Sequence, residues 1–357
     1  MRGLRLWLLV IAASLFFIAA PASAGGAPPA QIDAFIWQLD KDYPGANPND
    51  SQLPIKDVYI KTHDGTDWMS TYDSHPEAIS GPAALKKVMD IYQSQGIGVA
   101  AWFVPKGLDV EKQLEMAKQV IDSGVKALYA DAERFVGFCQ DNCSYLANNF
   151  WSRLRAERPN AVLGVIYDPR PQHWGPSATA EWLAHADVAL PMCYWESYSG
   201  QVPWGDPKGC VLQAHADLAK LAPGRALQYA PILQGNTTGA RIQQGMQAVE
   251  QVGATGKSVW RRGVVPAEVW NAIASYNAPS APNVRGDVDC NGVIATSDAV
   301  QLLQHVASVA SPGCLAAAGD VDCSGAIAVL DSLLIQQHIA GLPVALPPGC
   351  PAIGTPV

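Results

Sequence analysis

Residues 98–133 read GVAAWFVPKGLDVEKQLEMAKQVIDSGVKALYADAE, and this stretch contains the unit from which the fold can be inferred. It begins with an apolar run of strand length, Gly98–Val104, and ends with a second one, Ala127–Ala130. Between them, Asp109 occupies a helix N-cap position and Gly124 a helix end. The intervening apolar residues have helical spacing: Leu114, Ala117, Val120 and Ile121. A strand, a helix and another strand in this order predict two parallel neighbours of one sheet.

The same alternation continues from Ile32 to Ala278, where eight apolar runs of strand length recur. They are Ala34–Trp37, Val58–Lys61, Gly98–Val104, Ala127–Ala130, Val162–Tyr167, Val188–Cys193, Leu227–Ile232 and Ser258–Trp260. Several are almost continuously hydrophobic, which is typical of strands buried on both faces of a parallel sheet. Eight such strands in roughly 245 residues predict an α/β fold, a closed (β/α)8 TIM barrel within residues 25–276.

Helical patterns separate most of these runs. They cover 82–96, 109–124, Leu146–Ala156, Cys210–Leu221, Ile242–Val252 and Ala267–Ala274. The segment Gln38–Pro54, where the first barrel helix is expected, reads instead as a loop rich in Pro, Asn and Asp. A doubly wound open sheet is the alternative fold. It is disfavoured because no Gly-x-Gly-x-x-Gly phosphate turn follows the first strand.

Two carboxylates follow the fourth predicted strand, where TIM barrels carry their chemistry. Because side chains alternate along a strand, Asp131 and Glu133 point the same way. Glycosidic hydrolysis needs such a pair, in which one group donates a proton and the other stays charged. We therefore predict Glu133 as the acid/base and Asp131 as its partner. The alternative is a structural cluster in which the two acids are ion-paired with Lys61 or Arg170.

Aromatic residues follow several of the predicted strands, as a sugar-binding face would require. Trp37, Trp102, Trp195 and Trp260 lie at or near strand ends, and Trp68, Trp174 and Trp204 lie in the loops that follow. Sugar rings pack their C–H faces on aromatic rings, and a few polar groups fix their orientation. The predicted substrate-binding set comprises Trp37, Trp102, Tyr167, Asp168, Tyr194, Trp195, Glu196, Tyr229 and Trp260. Arg261 and Arg262 could hold an anionic substituent or cap a loop.

The C-terminal region contains two copies of one acidic loop, offset by 33 residues. Residues 287–298 read DVDCNGVIATSD and residues 320–331 read DVDCSGAIAVLD, and each copy runs into an apolar helix. Acidic residues at loop positions 1, 3 and 12 with glycine at position 6 are typical of calcium loops. We predict two Ca²⁺ ions. Their expected ligands are Asp287, Asp289, Asn291, the Val293 carbonyl and Asp298 in the first loop, and Asp320, Asp322, Ser324, the Ala326 carbonyl and Asp331 in the second.

This duplicated loop-helix pattern resembles a dockerin, the module that attaches secreted polysaccharide-degrading enzymes to a cohesin domain. The resemblance covers about 65 residues and implies a dockerin-like, all-α domain at 286–350 with a cohesin-like partner. Loop positions 10 and 11, which help dockerins to select their cohesin, differ between the copies. They are Thr296-Ser297 in one and Val329-Leu330 in the other, which leaves the partner open.

The barrel resembles two glycoside hydrolase families more loosely. Residues 58–65, VYIKTHDG, are similar to the second strand of family 25 lysozyme-like barrels. The fourth-strand Asp-x-Glu is shared with that family and with family 18 chitinase-like barrels, and residues 191–195, PMCYW, are similar to a family 18 segment. The resemblance implies that Glu133 is the acid/base and that Tyr194 contacts substrate. The first strand lacks the Asp-x-Ser of family 25, and Leu128-Tyr129 replace an upstream aspartate of family 18.

The N-terminal residues have the features of a secretory signal. Arg2 and Arg5 precede the apolar run Leu6–Ala20, and Ala22-Ser23-Ala24 is a small-residue cleavage pattern. We expect a signal peptide at 1–24 and a secreted, extracellular protein with no membrane contact after cleavage; an uncleaved anchor is the alternative. The eight cysteines form no Cys-x-x-Cys pair, so disulfides are expected rather than zinc. The four in the C-terminal region allow three pairings.

Composition narrows the function further. With 24 basic and 32 acidic residues the chain has a formal net charge of −8, which argues against a nucleic-acid partner. A linker is expected at 277–285 and a tail at 351–357. We predict a secreted glycosidase that hydrolyses O-glycosyl bonds of a polysaccharide and carries a calcium-dependent docking module. The alternatives are a non-catalytic carbohydrate-binding or scaffold protein, and a barrel hydrolase in which Asp131 and Glu133 hold a metal.

Overall fold

Eight parallel strands close into a barrel in the computed structural model, which describes residues 30–43, 50–276, 284–288, 294–307 and 318–355. The strands are β1 Ile32–Ile36, β2 Ile55–Asp64, β3 Asp67–Trp68, β4 Gly98–Val104, β5 Leu128–Asp131, β6 Leu163–Tyr167, β7 Val188–Cys193, β8 Gln228–Tyr229, β9 Ile232–Gln234 and β10 Ser258–Trp260. The seventh barrel strand is divided into β8 and β9, and β3 is a short antiparallel partner of β2. Because β1 pairs with both β2 and β10, the sheet closes, which confirms the predicted TIM barrel.

Helices connect the strands around the outside of the barrel. They are α1 Leu39–Asp42, α2 Pro82–Gln93, α3 Val110–Asp122, α4 Cys143–Leu146, α5 Ser152–Glu157, α6 Pro171–Trp174, α7 Thr179–Leu183, α8 Pro207–Leu221, α9 Gly239–Gln251 and α10 Ala267–Ala274. Asp109 caps α3 as predicted, since its carboxylate accepts a hydrogen bond from the Lys112 amide at 3.0 Å.

Three connections differ from the sequence prediction. The single helix predicted at Leu146–Ala156 is α4 and α5 joined by a π-helix, Ala147–Trp151. Two short helices, α6 and α7, lie between β6 and β7, where none was predicted. The predicted loop Gln38–Pro54 contains α1 and a 3₁₀ turn at Asp50–Gln52.

Side chains on the barrel strands alternate between two buried layers. One layer fills the barrel interior, and the other packs between the strands and the helices. Along β5 and the residue before it, Ala127 and Tyr129 belong to the interior layer, whereas Leu128 and Ala130 belong to the outer one. The interior layer contains Phe35, Tyr59, Trp102, Tyr129, Ile166, Leu190, Met192 and Ile232. Continuing the alternation of β5 directs Asp131 towards the barrel axis.

The C-terminal repeats form two helices, α11 Thr296–Val306 and α12 Val329–Ile339, around a small core. The hydroxyl of Ser332 on α12 donates a hydrogen bond to the Ala299 carbonyl on α11 at 2.8 Å. The C-terminal domain extends beyond the predicted range 286–350 at both ends. Ile353 packs in this core, and Arg285 exchanges backbone hydrogen bonds with Gly354 and Thr355.

Three disulfides are present among the described residues: Cys139–Cys143, Cys193–Cys210 and Cys323–Cys350. The first two fix loops that leave β5 and β7. Cys290 and Cys314 lie outside the described residues, as do the predicted signal peptide and linker residues 277–283. Every helix in the described part of the chain is too short or too polar to span a bilayer.

Candidate active site

A cavity of about 320 Å³ opens at the carboxyl ends of the barrel strands. Six of the predicted site residues line it: Trp37, Trp102, Asp131, Glu133, Tyr194 and Trp260. The other lining residues are Phe35, Lys61, Val104, Phe138, Ile166, Met192 and Arg261. The two acids therefore share one pocket with aromatic walls at the mouth of the barrel, where barrel enzymes place their chemistry.

Asp131 and Glu133 lie in an environment that disfavours negative charge. Asp131 is 6% exposed, and its Oδ1 has no hydrogen-bond partner among the described residues. Burial raises the pKa of Asp131, against the lowering effect of Lys61. Glu133 is half-buried, and its pKa is raised more than that of Asp131. The largest cause is burial, followed by the charges of Asp131 and Asp168. The pair is therefore arranged so that Glu133 retains a proton at a pH where Asp131 has lost its own.

The nearby cations are paired with other carboxylates. Lys61 Nζ lies 2.7 Å from Asp64 Oδ1 and 5.0 Å from the centre of the Trp102 ring. Arg170 binds Asp168 at two points, with distances of 2.9 Å from Nε to Oδ1 and 2.6 Å from Nη2 to Oδ2. The structural alternative, in which Lys61 or Arg170 forms an ion pair with Asp131 or Glu133, is not what these contacts show.

Aromatic rings form the floor and one wall of the cavity. Trp102 is buried and donates a hydrogen bond from Nε1 to the Ile36 carbonyl at 3.0 Å. Its ring lies 5.5 Å from that of Trp260 in an edge-on arrangement. Trp37 is 37% exposed, and the Arg261 guanidinium lies 5.0 Å above its ring. Trp37 therefore offers a partly exposed ring at the cavity, whereas Trp102 is buried.

The two arginines considered for an anionic substituent are already paired. Arg261 forms an ion pair with Asp42, and Arg262 Nη2 lies 2.6 Å from Asp50 Oδ1. Both carboxylates are completely buried. These guanidiniums therefore anchor the end of the barrel to the loop after β1.

Three predicted substrate-binding residues lie outside the cavity. Tyr167 on β6, Tyr229 on β8 and Trp195 just after β7 belong to the layer between strands and helices. Trp195 donates a hydrogen bond from Nε1 to Thr237 Oγ1 at 3.0 Å, and the Tyr229 hydroxyl donates one to the Val211 carbonyl at 2.8 Å. These positions leave no surface for a sugar, which corrects the prediction for all three. Trp68 on β3, Trp174 at the end of α6 and Trp204, all three predicted in loops, pack in or against the same layer.

Two further predicted substrate-binding residues form ion pairs outside the cavity. Asp168 is buried beneath Arg170, whose guanidinium also lies 4.1 Å from the centre of the Tyr198 ring. Glu196 is exposed, lies 2.9 Å from Arg241 Nε and accepts a hydrogen bond from Thr237. Neither residue lines the cavity, although Asp168 acts on it electrostatically by raising the pKa of Glu133.

The loop after β5 supplies a wall residue that the sequence did not indicate. Phe138 lines the cavity directly before the Cys139–Cys143 disulfide. Cys139 Sγ lies 3.1 Å from the carbonyl oxygen of Glu133, so the disulfide packs against the backbone of that residue. The sequence did contain one indication of this role: Phe138 lies next to Cys139 and close to Cys143, and a disulfide between these cysteines fixes the loop that carries Phe138.

In the second C-terminal loop the carboxylates converge. One oxygen each of Asp320, Asp322 and Asp331 lies within 4.8 Å of the others. Ser324 Oγ donates a hydrogen bond to the Ala326 carbonyl at 3.0 Å. Gly325, at loop position 6, has a φ of +81°, a conformation that favours glycine. The oxygen-rich donor set fits the preference of a hard cation such as Ca²⁺.

The first loop is described only at its ends. Asp298 accepts hydrogen bonds from the Val288 and Ala295 amides at 3.0 and 2.8 Å. Asp331 accepts the equivalent bonds from Val321 and Ala328, both at 2.8 Å. Loop position 12 is thus held identically in both copies, and Asp287 is buried like Asp298. Asp289, Asn291 and Val293 lie outside the described residues.

Comparison with known proteins gives likeness in structure but not in sequence. No protein-family model matches the chain, and no curated protein matches it. Among solved structures, a GH18 chitinase from Pseudoalteromonas aurantia is similar with a TM-score of 0.51 and 14% identity, covering 69% of this chain and 99% of that one. The chain shares its barrel fold with this chitinase.

Two further solved structures are similar at lower scores. The spore cortex-lytic enzyme SleL of Bacillus cereus has a TM-score of 0.48 and 11% identity, over 70% of this chain and 74% of that one. A family 18 N-acetylglucosaminidase from Paenibacillus barengoltzii has a TM-score of 0.47 and 9% identity, over 69% and 99%.

Proposed function

We propose that the barrel is a glycoside hydrolase that cleaves O-glycosidic bonds of a polysaccharide. The observation that carries this proposal is the placement of Asp131 and Glu133 together in the aromatic cavity at the barrel mouth. Both acids have a raised pKa there, and that of Glu133 is raised further. Two neighbouring carboxyl groups with separated pKa values are what acid-catalysed glycoside cleavage requires.

In this mechanism, Glu133 donates its proton to the glycosidic oxygen as the bond to the anomeric carbon breaks. The ionised Asp131 then faces the positive charge that develops on the sugar ring and lowers its energy. Trp37 and Trp260 would hold the ring by stacking, and Tyr194 would reach it from the end of β7. Water completes the hydrolysis, and the ionised Glu133 can accept the proton that this water loses.

Chitin is the first substrate to test. One solved structure that shares the fold is named as a chitinase. Charge also supports an uncharged polymer, because Lys61 and Arg261 are each paired with a carboxylate. Peptidoglycan, xylan and α-glucans complete the substrate panel.

The test is the release of reducing ends by the wild type and by Glu133→Gln, with Glu115→Gln on the exposed surface of α3 as the matched control. Loss of hydrolysis by at least about a thousandfold in Glu133→Gln alone, with glycan binding retained, is the expected result. Glycan binding by the wild type without hydrolysis of any polymer would instead favour a non-catalytic carbohydrate-binding protein.

For the C-terminal region we propose a calcium-dependent, dockerin-like module of a secreted protein, with a cohesin-like domain as partner. Its support is the converging set Asp320, Asp322 and Asp331 together with apolar side chains on the helix surface. Val329 and Leu330, at loop positions 10 and 11, are 59% and 49% exposed. Calcium titration by calorimetry should give two sites, one of them lost in Asp320→Asn. Binding of the full chain to purified cohesin domains should disappear with chelator.

A further inference from the structure

A second cavity, of about 400 Å³, opens on the same face of the barrel beyond Phe138. Three loops at strand ends build it: the turn between β2 and β3, the loop after β4 and the loop after β5. Its lining residues are Thr66, Asp67, Lys106, Gly107, Phe138, Cys139, Gln140 and Asn142. None of these residues has a role in the catalytic proposal except Phe138, which also lines the first cavity.

The two cavities adjoin at Phe138 and are together called the groove. Phe138 forms a wall of both. Asp64 lies between one lysine of each lining, since its carboxylate is 2.7 Å from Lys61 Nζ and 3.9 Å from Lys106 Nζ. Lys61 lines the first cavity and Lys106 the second. A chain-like ligand long enough to span Phe138 could therefore contact both cavities.

The lining of the second cavity has the chemistry of a sugar site rather than of an ion site. Thr66, Gln140 and Asn142 offer neutral donors and acceptors, and the lining holds one acidic and one basic residue, Asp67 and Lys106. Tyr72 lies beside them; its hydroxyl donates a hydrogen bond to Asp67 Oδ2 at 3.1 Å. Neutral polar groups with an aromatic wall match the hydroxyl and C–H surfaces of an uncharged sugar.

The cavity is also preorganised. The Cys139–Cys143 disulfide encloses Gln140 and Asn142. On the β4 side, the amide of Lys106 donates a hydrogen bond to Oε1 of the fully buried Gln113 at 3.2 Å. Asp67 is held by the pairing of β3 with β2. A ligand would therefore bind without first ordering these loops, which reduces the entropic cost of binding.

We propose that this second cavity binds a further sugar residue of the same glycan chain, so that the groove holds at least two units with Phe138 between them. The inference rests on the proposed function, because it takes the first cavity as the place of cleavage. The proposal adds that affinity depends on the length of the glycan chain. Thr66 and Asn142, which have no part in proton transfer, supply some of that affinity.

The test uses the full chain carrying Glu133→Gln, so that turnover does not consume the ligand. Calorimetry would measure its dissociation constants for β-1,4-linked N-acetylglucosamine oligomers of one to six units, and for xylan and α-glucan oligomers of the same lengths. We expect the dissociation constant to fall about tenfold once the oligomer is long enough to reach the second cavity.

Two variants examine this gain, with Asn160→Ala at the opposite end of the barrel as control. In Thr66→Ala/Asn142→Ala the gain with length should fall below about threefold, while binding of the shortest bound oligomer is unchanged. Asn142→Trp, which fills the cavity, should abolish the gain by steric exclusion. Circular dichroism would confirm that each variant is folded.

The outcomes separate the two proposals. Short oligomers that bind with no gain in affinity on lengthening, or a gain that survives in both folded variants, would overturn the second sugar site and leave the catalytic proposal standing. Failure of every oligomer to bind would overturn both.

Discussion

Lys61 Nζ lies 2.7 Å from Asp64 Oδ1, inside the mouth of the barrel and beside Asp131. The lysine is almost fully buried, so its charge is committed to the site rather than to solvent. It lowers the pKa of Asp131, whereas burial and the charge of Asp64 raise it. Burial is thus the largest cause of the raised pKa of Asp131, and Lys61 opposes it more strongly than Asp64 adds to it.

Replacement of Lys61 by methionine should make Asp131 harder to ionise. Because loss of a nearby positive charge raises the pKa of a carboxyl group, the acid limb of the pH profile should move to higher pH. We expect kcat/KM to fall about tenfold at pH 6 with little change at pH 9. Lys61→Arg keeps the charge and serves as the control. An equal loss at every pH would show that Lys61 acts only through packing.

Replacement of Asp131 by asparagine should move the alkaline limb of the pH profile of kcat/KM. Its negative charge is a cause of the raised pKa of Glu133, second only to burial. Without that repulsion Glu133 loses its proton more easily, so the alkaline limb should shift to lower pH. The measurement is the pH profile of the residual kcat/KM of Asp131→Asn, with Asp90→Asn on the surface of α2 as control. An alkaline limb that stays in place would indicate that another group controls it.

The barrel could be predicted because each of its strands is a short apolar run bounded by a helix or a loop. The boundaries that failed depend on packing rather than on local pattern. The π-helix Ala147–Trp151 brings Phe150 and Trp151 into the core, and a regular helical repeat does not reveal such a bulge. The helices α6 and α7 have four and five residues, too few to show a hydrophobic period.

The site could be predicted only in part because a strand buried on both faces carries no polar-apolar alternation. For β5, the two acids themselves marked the inner face. For β6 and β7, the sequence did not indicate which residues face the axis, and Tyr167 and Trp195 were assigned to the wrong side. The contribution of Phe138 depends on a loop whose course is fixed by the Cys139–Cys143 disulfide, and sequence alone does not give that course.

Asp33, at the other end of the barrel interior, predicts a pH dependence of stability. Burial raises its pKa to about 6, although it accepts a hydrogen bond from the Tyr59 hydroxyl at 2.6 Å. In the unfolded chain the carboxyl has its ordinary pKa of 3.8, so between the two pKa values the folded protein holds more protons. Stability contributed by this group is therefore lost as the pH rises from about 4 to about 6.

Asp33→Asn should remove this loss. Relative to wild type, its free energy of unfolding should rise between pH 4 and pH 7 by an amount of up to about 3 kcal/mol. Urea denaturation at several pH values measures the difference, and Asp90→Asn on the surface should show none. A difference that is constant with pH would contradict the assignment of this titration to Asp33.

Calcium removal should loosen the second C-terminal loop and α12. Asp320, Asp322 and Asp331 repel one another when no cation lies between them. Hydrogen exchange followed by mass spectrometry should show faster exchange of peptides from 318–355 in chelator than in calcium. Peptides from the barrel provide the internal control, and Asp322→Asn should weaken the response to calcium. Identical exchange in calcium and in chelator would refute calcium binding by this loop.

The two barrel disulfides should differ in what their removal costs. Cys193–Cys210 closes a loop with a sequence separation of 17, and Cys139–Cys143 one with a separation of 4. Chain entropy therefore predicts a loss of about 3 kcal/mol for the former and about 2 kcal/mol for the latter when both cysteines become serine. Activity should show the opposite order, because Cys139 Sγ lies 3.1 Å from the Glu133 carbonyl and the same bridge fixes Phe138. Urea denaturation and kcat/KM on the two double variants measure both effects. A larger loss of activity without Cys193–Cys210 would mean that the loop after β7 positions the substrate more strongly than the loop behind the proton donor.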